Sequence, residues 1–187
     1  MLETGELWGI YLQGNVIYGA VHGTIQSTAT TFSGSGFDFN LPTATRTAAS
    51  VSGNYVAGAS ISGTTSPNGA TFTGTYDSFY DTPASLATIQ GVWRGQVVSQ
   101  AGNEVSTFTI GVDGTFAGVV STCRYSGTAL PRPTGKNVFD MSVSFASTGC
   151  LFNGATLGGI AVVRNGQLVT LALLPDGSAG FMAIAAR

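Results

Sequence analysis

The sequence predicts an all-β protein: a C-terminal eight-stranded antiparallel up-and-down barrel, preceded by a Gly-rich antiparallel β region. Three observations carry this. Residues 89–120 read as three strands wound back on one another, with Asp113-Gly114 marking a tight turn between β-prone runs. No window places apolar residues at sustained 3.6-residue spacing, so helix content should be very low. The composition is rich in Gly, Thr, Ser, Val and aromatic residues, with only 9% charged side chains and one lysine, Lys136.

The 187 residues suffice for one substantial domain or two small ones without metals or many disulfides. We divide them into a Gly-rich region over 1–82 and a barrel over 83–187. In the first region Leu7 to Leu12 and Val16 to His22 form a hairpin about Gln13-Gly14-Asn15. Residues 24–33, 36–40, 49–55, 59–63 and 70–76 read as further strands, which makes seven. A loop is expected at Leu41-Pro42-Thr43-Ala44-Thr45-Arg46, since Pro42 cannot donate to a ladder, and another at Thr65-Ser66-Pro67-Asn68-Gly69. Strands with so many glycines carry weak alternation and specify their register poorly.

A linker follows at 77–86, where Asp81-Thr82-Pro83 breaks any strand and Phe79 and Tyr80 supply anchors. Pro83-Ala84-Ser85-Leu86-Ala87 is read as one short helical turn plugging a barrel end. The barrel strands have cleaner patterns. Phe139, Met141, Val143 and Phe145 share one face of a strand against Val138, Asp140, Ser142 and Ser144 on the other. Asn165-Gly166 and Asp176-Gly177 mark two more turns, and short links between antiparallel neighbours make a meander that loses its edges by closing.

Cys123 and Cys150 are the only cysteines. An even count in a lysine-poor β protein favours one disulfide and an oxidising compartment, against the alternative of two separate buried thiols. The two cysteines and the lone His22 do not make a metal-ligand cluster. His22 is read as structural or surface-facing rather than as a general base. Asp113 and Asp176 are accounted for by their turns. GxSxG, Walker A, HExxH and dinucleotide-binding patterns are absent, so no catalytic residue and no cofactor are assigned. Seven scattered basic residues and a net charge of −2 give no phosphate-seeking surface, so nucleic acid is not expected as a partner. No apolar run is long enough to span a bilayer as a helix.

The remaining signal is aromatic. Trp93, Phe108, Phe116, Phe139, Phe145 and Phe181 are candidate barrel-lining residues, and the expectation is that they fill the interior rather than enclose a ligand. Trp8, Tyr11 and Tyr18 are candidates for a partner-binding face in the Gly-rich region.

Two resemblances appear at these residues. Gly91-Val92-Trp93-Arg94-Gly95, with Ser106 to Ile110 and Asp113 to Gly118, resembles the Gly-x-Trp opening of avidin-type and lipocalin-type barrels. The further tryptophans of avidin pockets have no counterpart after Trp93. Tyr76 to Leu86, Cys123 to Gly127, Pro131 to Val138 and Gly149-Cys150 resemble, in order, an uncharacterised family of surface or periplasmic lipoproteins and antigens of the Burkholderia and Pseudomonas kind. That resemblance implies an exported, non-catalytic protein at the outer-membrane surface or in the periplasm, lipid-anchored through a removed N-terminal segment. It would bind a host or envelope partner. The competing expectation is a small-molecule carrier that uses the barrel interior.

Overall fold

A computed structural model describes residues 1–187 apart from 14, 15, 41, 42 and 44. The chain forms two compact units, Met1–Ser78 and Phe79–Arg187. The expected turn residues Gly14 and Asn15, and residues 41, 42 and 44 of the expected loop over 41–46, lie outside the described residues; the loops expected at 41–46 and 65–69 are corrected at Thr45 and Arg46, which open a strand, and at Thr65 and Ser66, which end one.

The first unit is a six-stranded antiparallel meander in sequence order: β1 (Glu6–Gln13), β2 (Val16–Ser27), β3 (Thr31–Asn40), β4 (Thr45–Val56), β5 (Ser60–Ser66) and β6 (Thr71–Thr75). The sequence reading put seven strands here, with 24–33 as one of them, and this is corrected. The chain turns at Thr28-Ala29-Thr30, where the Thr28 N–H donates to the Thr31 carbonyl (2.8 Å) and the Thr31 N–H to Thr28 Oγ1 (3.2 Å). A threonine turn carries no glycine cue. Gly34 and Gly36 carry the cue but lie inside β3, paired with Ile25 and Gly23.

Those glycines explain why the sheet curls. A Cβ at Gly36 would stand 2.5 Å from the Gly23 Cα, and one at Gly53 would stand 2.6 Å from the Gly63 Cα, so neighbouring strands approach more closely on this face than any side chain permits. Phe32 and Phe72 pack on the same face, their rings 6.3 Å apart, and a Cβ at Gly53 or Gly63 would run into them.

The second unit is a closed antiparallel barrel of eight strands: β7 (Gly91–Ser99), β8 (Gly102–Ile110), β9 (Thr115–Val120), β10 (Cys123–Pro131), β11 (Phe139–Phe145), β12 (Thr156–Arg164), β13 (Gln167–Leu173) and β14 (Gly180–Ala186). Each pairs with its sequence neighbours, and β14 returns to β7 from Phe181↔Ser99 to Ala186↔Arg94, which closes the ring as expected. Asn165 (φ 52°) and Gly166 (φ 76°) form the two-residue link of β12–β13 with both central residues left-handed, as a type I′ turn requires. The Asp113-Gly114 turn is of another kind. Only Gly114 has positive φ, the Gly114 N–H donates to the Gly111 carbonyl (3.1 Å), and Asp113 Oδ1 accepts from the Thr115 N–H (3.0 Å). The aspartate works by side-chain bonding rather than by adopting positive φ.

The segment read as a linker belongs largely to the second unit. A 3-10 turn at Ser78–Asp81 leads into a helical turn, α1 (Leu86–Ile89), which Ser85 caps by accepting from the Ala87 N–H (3.3 Å). Asn137 donates from its backbone to Tyr80 O (2.9 Å) and from Nδ2 to Phe79 O (3.1 Å), while Lys136 pairs with Asp81 at 2.8 Å. The Arg164 guanidinium lies 4.3 Å from the Phe79 ring centroid. Residues 79–90 thus strap across one barrel end, with Ile89 fully buried and Trp93 donating from Nε1 to its carbonyl at 2.7 Å.

Candidate functional site

Alternation along the barrel strands decides what faces inward. From β7 come Trp93 and Val97, from β9 Phe116, from β10 Cys123, Tyr125 and Ala129, and from β11 Phe139 to Phe145 at every second residue. The two halves of the interior differ. At the strapped end Ile89, Trp93, Phe139, Leu168 and the small Ala161 and Ala185 pack without a gap for a ligand. Toward the other end lies a cavity of about 280 Å³, floored by Ile89, Ile110, Ala129 and Leu168. Its mouth is framed by Ser99 and Ala101 of the β7–β8 turn, Ser121 of the β9–β10 turn, and Gly149, Leu151 and Phe152 of the β11–β12 loop.

The expectation of a filled barrel is corrected accordingly. Phe108, Phe116, Phe145 and Phe181 line the cavity, whereas Trp93 and Phe139 form the packed layer beyond its floor. The lining rings make a connected belt: Phe108 to Phe116 at 6.4 Å, Phe116 to Tyr125 at 6.4 Å, Tyr125 to Phe145 at 5.9 Å, and Phe145 to Phe181 at 6.1 Å. Phe152, from the loop, joins at 5.5 Å from Phe145. Rings at these separations support one another in edge-to-face and tilted contacts, so the wall keeps its shape without side chains filling the centre.

The buried polar groups of this half are already used. Tyr125 and Ser106 hydroxyls meet at 2.5 Å, and Ser106 donates to Val119 O (2.9 Å). Burial pushes the Tyr125 phenol above its ordinary range, so it stays neutral. Thr170 donates to Ile160 O at 2.8 Å. What the wall offers a ligand is therefore apolar surface, except at the mouth.

Cys123 and Cys150 are bonded, with the sulfurs 2.04 Å apart, and Cys123 forms part of the cavity wall. The bond closes a sequence separation of 27 and ties the β11–β12 loop, with Leu151 and Phe152, to the start of β10. Tyr125, Glu104, Val97 and Phe152 are cavity residues that the sequence reading does not name. Three of the four are readable by parity: Glu104 shares a face with Phe108, Tyr125 with Cys123, and Val97 with Trp93. Phe152 lies in a loop, where no period applies.

A second concavity lies in the first unit, a trough of about 680 Å³ on the glycine-bearing face of the curled sheet. Tyr11 donates to the Asp38 carboxylate there, and burial together with that carboxylate pushes the Tyr11 phenol far above its ordinary range. Tyr18 also lines it, whereas Trp8 sits on the opposite face with its ring 4.0 Å from that of His22. The three aromatics expected to form one partner face are thus split between two.

Among the described residues no helix is long and apolar enough to cross a membrane. The chain matches no protein-family model and no curated protein.

Proposed function

We propose that this is an exported, non-catalytic binding protein whose barrel takes up a small apolar molecule through the disulfide-bearing end. The observation that carries the reading is the cavity of about 280 Å³, walled by phenyl rings and aliphatic side chains and open at one end only. A pre-formed concave apolar site of this kind holds a ligand by displacing water, with no catalytic group needed. The disulfide supports an oxidising compartment, hence export. An outer-membrane or periplasmic location, the lipid anchor, antigenic exposure, and recognition by a host or envelope partner rest on the family resemblance.

Titration with N-phenyl-1-naphthylamine, a neutral fluorophore that brightens in apolar surroundings, tests the carrier reading. Wild-type protein should show saturable one-site binding. Val97→Phe, which fills the cavity while the disulfide and cooperative melting are retained, should lose it. A folded wild type that leaves the probe dark, or a V97F variant that binds it unchanged, refutes the reading.

A further inference from the structure

The cavity has one charged group. Glu104 lies on β8 (Gly102–Ile110) with the same inward parity as Phe108 and Ile110, and it lines the cavity beside the mouth. It is exposed to solvent and has no ion pair among the described residues. The other residues at the mouth, Ser99, Ala101 and Ser121, carry no charge.

Below the carboxylate the wall is the belt of Phe108, Phe116, Tyr125, Phe145 and Phe181. The faces of aromatic rings carry negative potential and attract organic cations, most strongly where water is excluded. A carboxylate at the rim and a π-rich wall within are two features of the same sign. An anionic head would meet Glu104 at the mouth and an aromatic wall inside, where the Ser106, Tyr125 and Thr170 hydroxyls are engaged with one another or with carbonyls, which leaves the uncharged Ser99 and Ser121 hydroxyls at the rim as donors.

From this we infer that the ligand is an amphiphilic organic cation, an alkyl or aryl amine or quaternary ammonium, with its apolar body in the barrel and its positive head at Glu104. The inference rests on the carrier reading and adds the sign of the ligand.

Three probes that share one tail separate the two readings: octyltrimethylammonium, octanol and octyl sulfate, each titrated by calorimetry below its aggregation threshold. The cation should bind about fivefold more tightly than the alcohol, and the sulfate about fivefold more weakly, as a partly solvated charge interaction allows. Glu104→Gln should bring the three affinities together and leave octanol unchanged, and raised salt should narrow the wild-type spread. If wild type binds all three equally, or if E104Q retains the order, the charge inference fails while the carrier reading stands. If octanol does not bind at all, the carrier reading fails and takes the inference with it.

Discussion

The two units are both antiparallel meanders rich in glycine, yet one closes and the other only curls. The difference lies in what their inner faces hold. The barrel turns Trp93, Phe116, Phe139, Phe145, Leu157 and Leu168 inward, and burial of such side chains at about 25 cal/mol per Å² is the dominant favourable term in its folding. The six-stranded sheet has Gly23, Gly36, Gly53 and Gly63 at the corresponding positions, with Phe32 and Phe72 as its main inward rings. Curvature there comes from backbone approaching backbone. A sheet bent in this way leaves an open trough lined by Leu7, Val21, Val51 and Phe72 together with threonines, whereas a sheet closed on large side chains leaves a cavity where they run out.

The contrast predicts unequal costs for equal truncations. Phe139→Ala removes a ring with no exposed surface and should cost about 3–5 kcal/mol, whereas Phe72→Ala, at a half-buried ring, should cost about 1–2 kcal/mol. Denaturant unfolding, followed by amide exchange in β7–β14 and in β1–β6 respectively, reads the two. Equal losses would mean that the sheet depends on ring burial as much as the barrel does. Next in size is the disulfide. Reduction, or Cys150→Ser, releases a closure over 27 residues and should cost on the order of 3 kcal/mol by loop entropy. It should also loosen Phe152 at the cavity mouth, seen as faster exchange over residues 146–155 and weaker probe uptake.

The barrel was legible because each strand alternates. Phe139-x-Met141-x-Val143-x-Phe145 states its own inner face, and closure follows from strand number and short links. The first sheet was harder to read. Glycines at inner positions (Gly23, Gly34, Gly36, Gly53 and Gly63) blur the contrast between faces, and the true turn at Thr28-Ala29-Thr30 looks more strand-like than Gly34-Ser35-Gly36, which lies within a strand. The cavity was not legible. Whether inward rings meet at the axis depends on how Ala129, Ala161 and Ala185 near the packed end are apportioned against the phenylalanines near the mouth, and that is a property of the closed barrel.

A more direct test of backbone-driven curvature is Gly53→Val. The added side chain meets the Gly63 backbone and the Phe32 ring, neither of which can yield as a flexible side-chain end does. The loss should be about 2 kcal/mol, from overpacking and the forced separation of β4 and β5. Gly158→Val, inside strand β12 where an added Cβ meets nothing within 4 Å, controls for β-propensity. A neutral Gly53→Val would show that the sheet's bend does not need the close approach.

The smallest effect concerns His22, the one histidine, whose ring lies against Trp8 on the outer face of the curl. Burial lowers its pKa below the ordinary histidine value, and the Glu6 carboxylate opposes that shift without cancelling it. The unfolded chain therefore takes up a proton at higher pH than the folded sheet does, so stability rises with pH through this window. The contribution is fully present above about pH 6.5 and falls away as the solution is acidified toward the folded-state pKa, below which the slope vanishes. His22→Gln should flatten the difference between denaturation midpoints at pH 7.5 and pH 5. A proton NMR titration of the single imidazole should give a midpoint below that of the unfolded chain, and a midpoint above it would reverse the sign and make Glu6, not burial, the controlling neighbour.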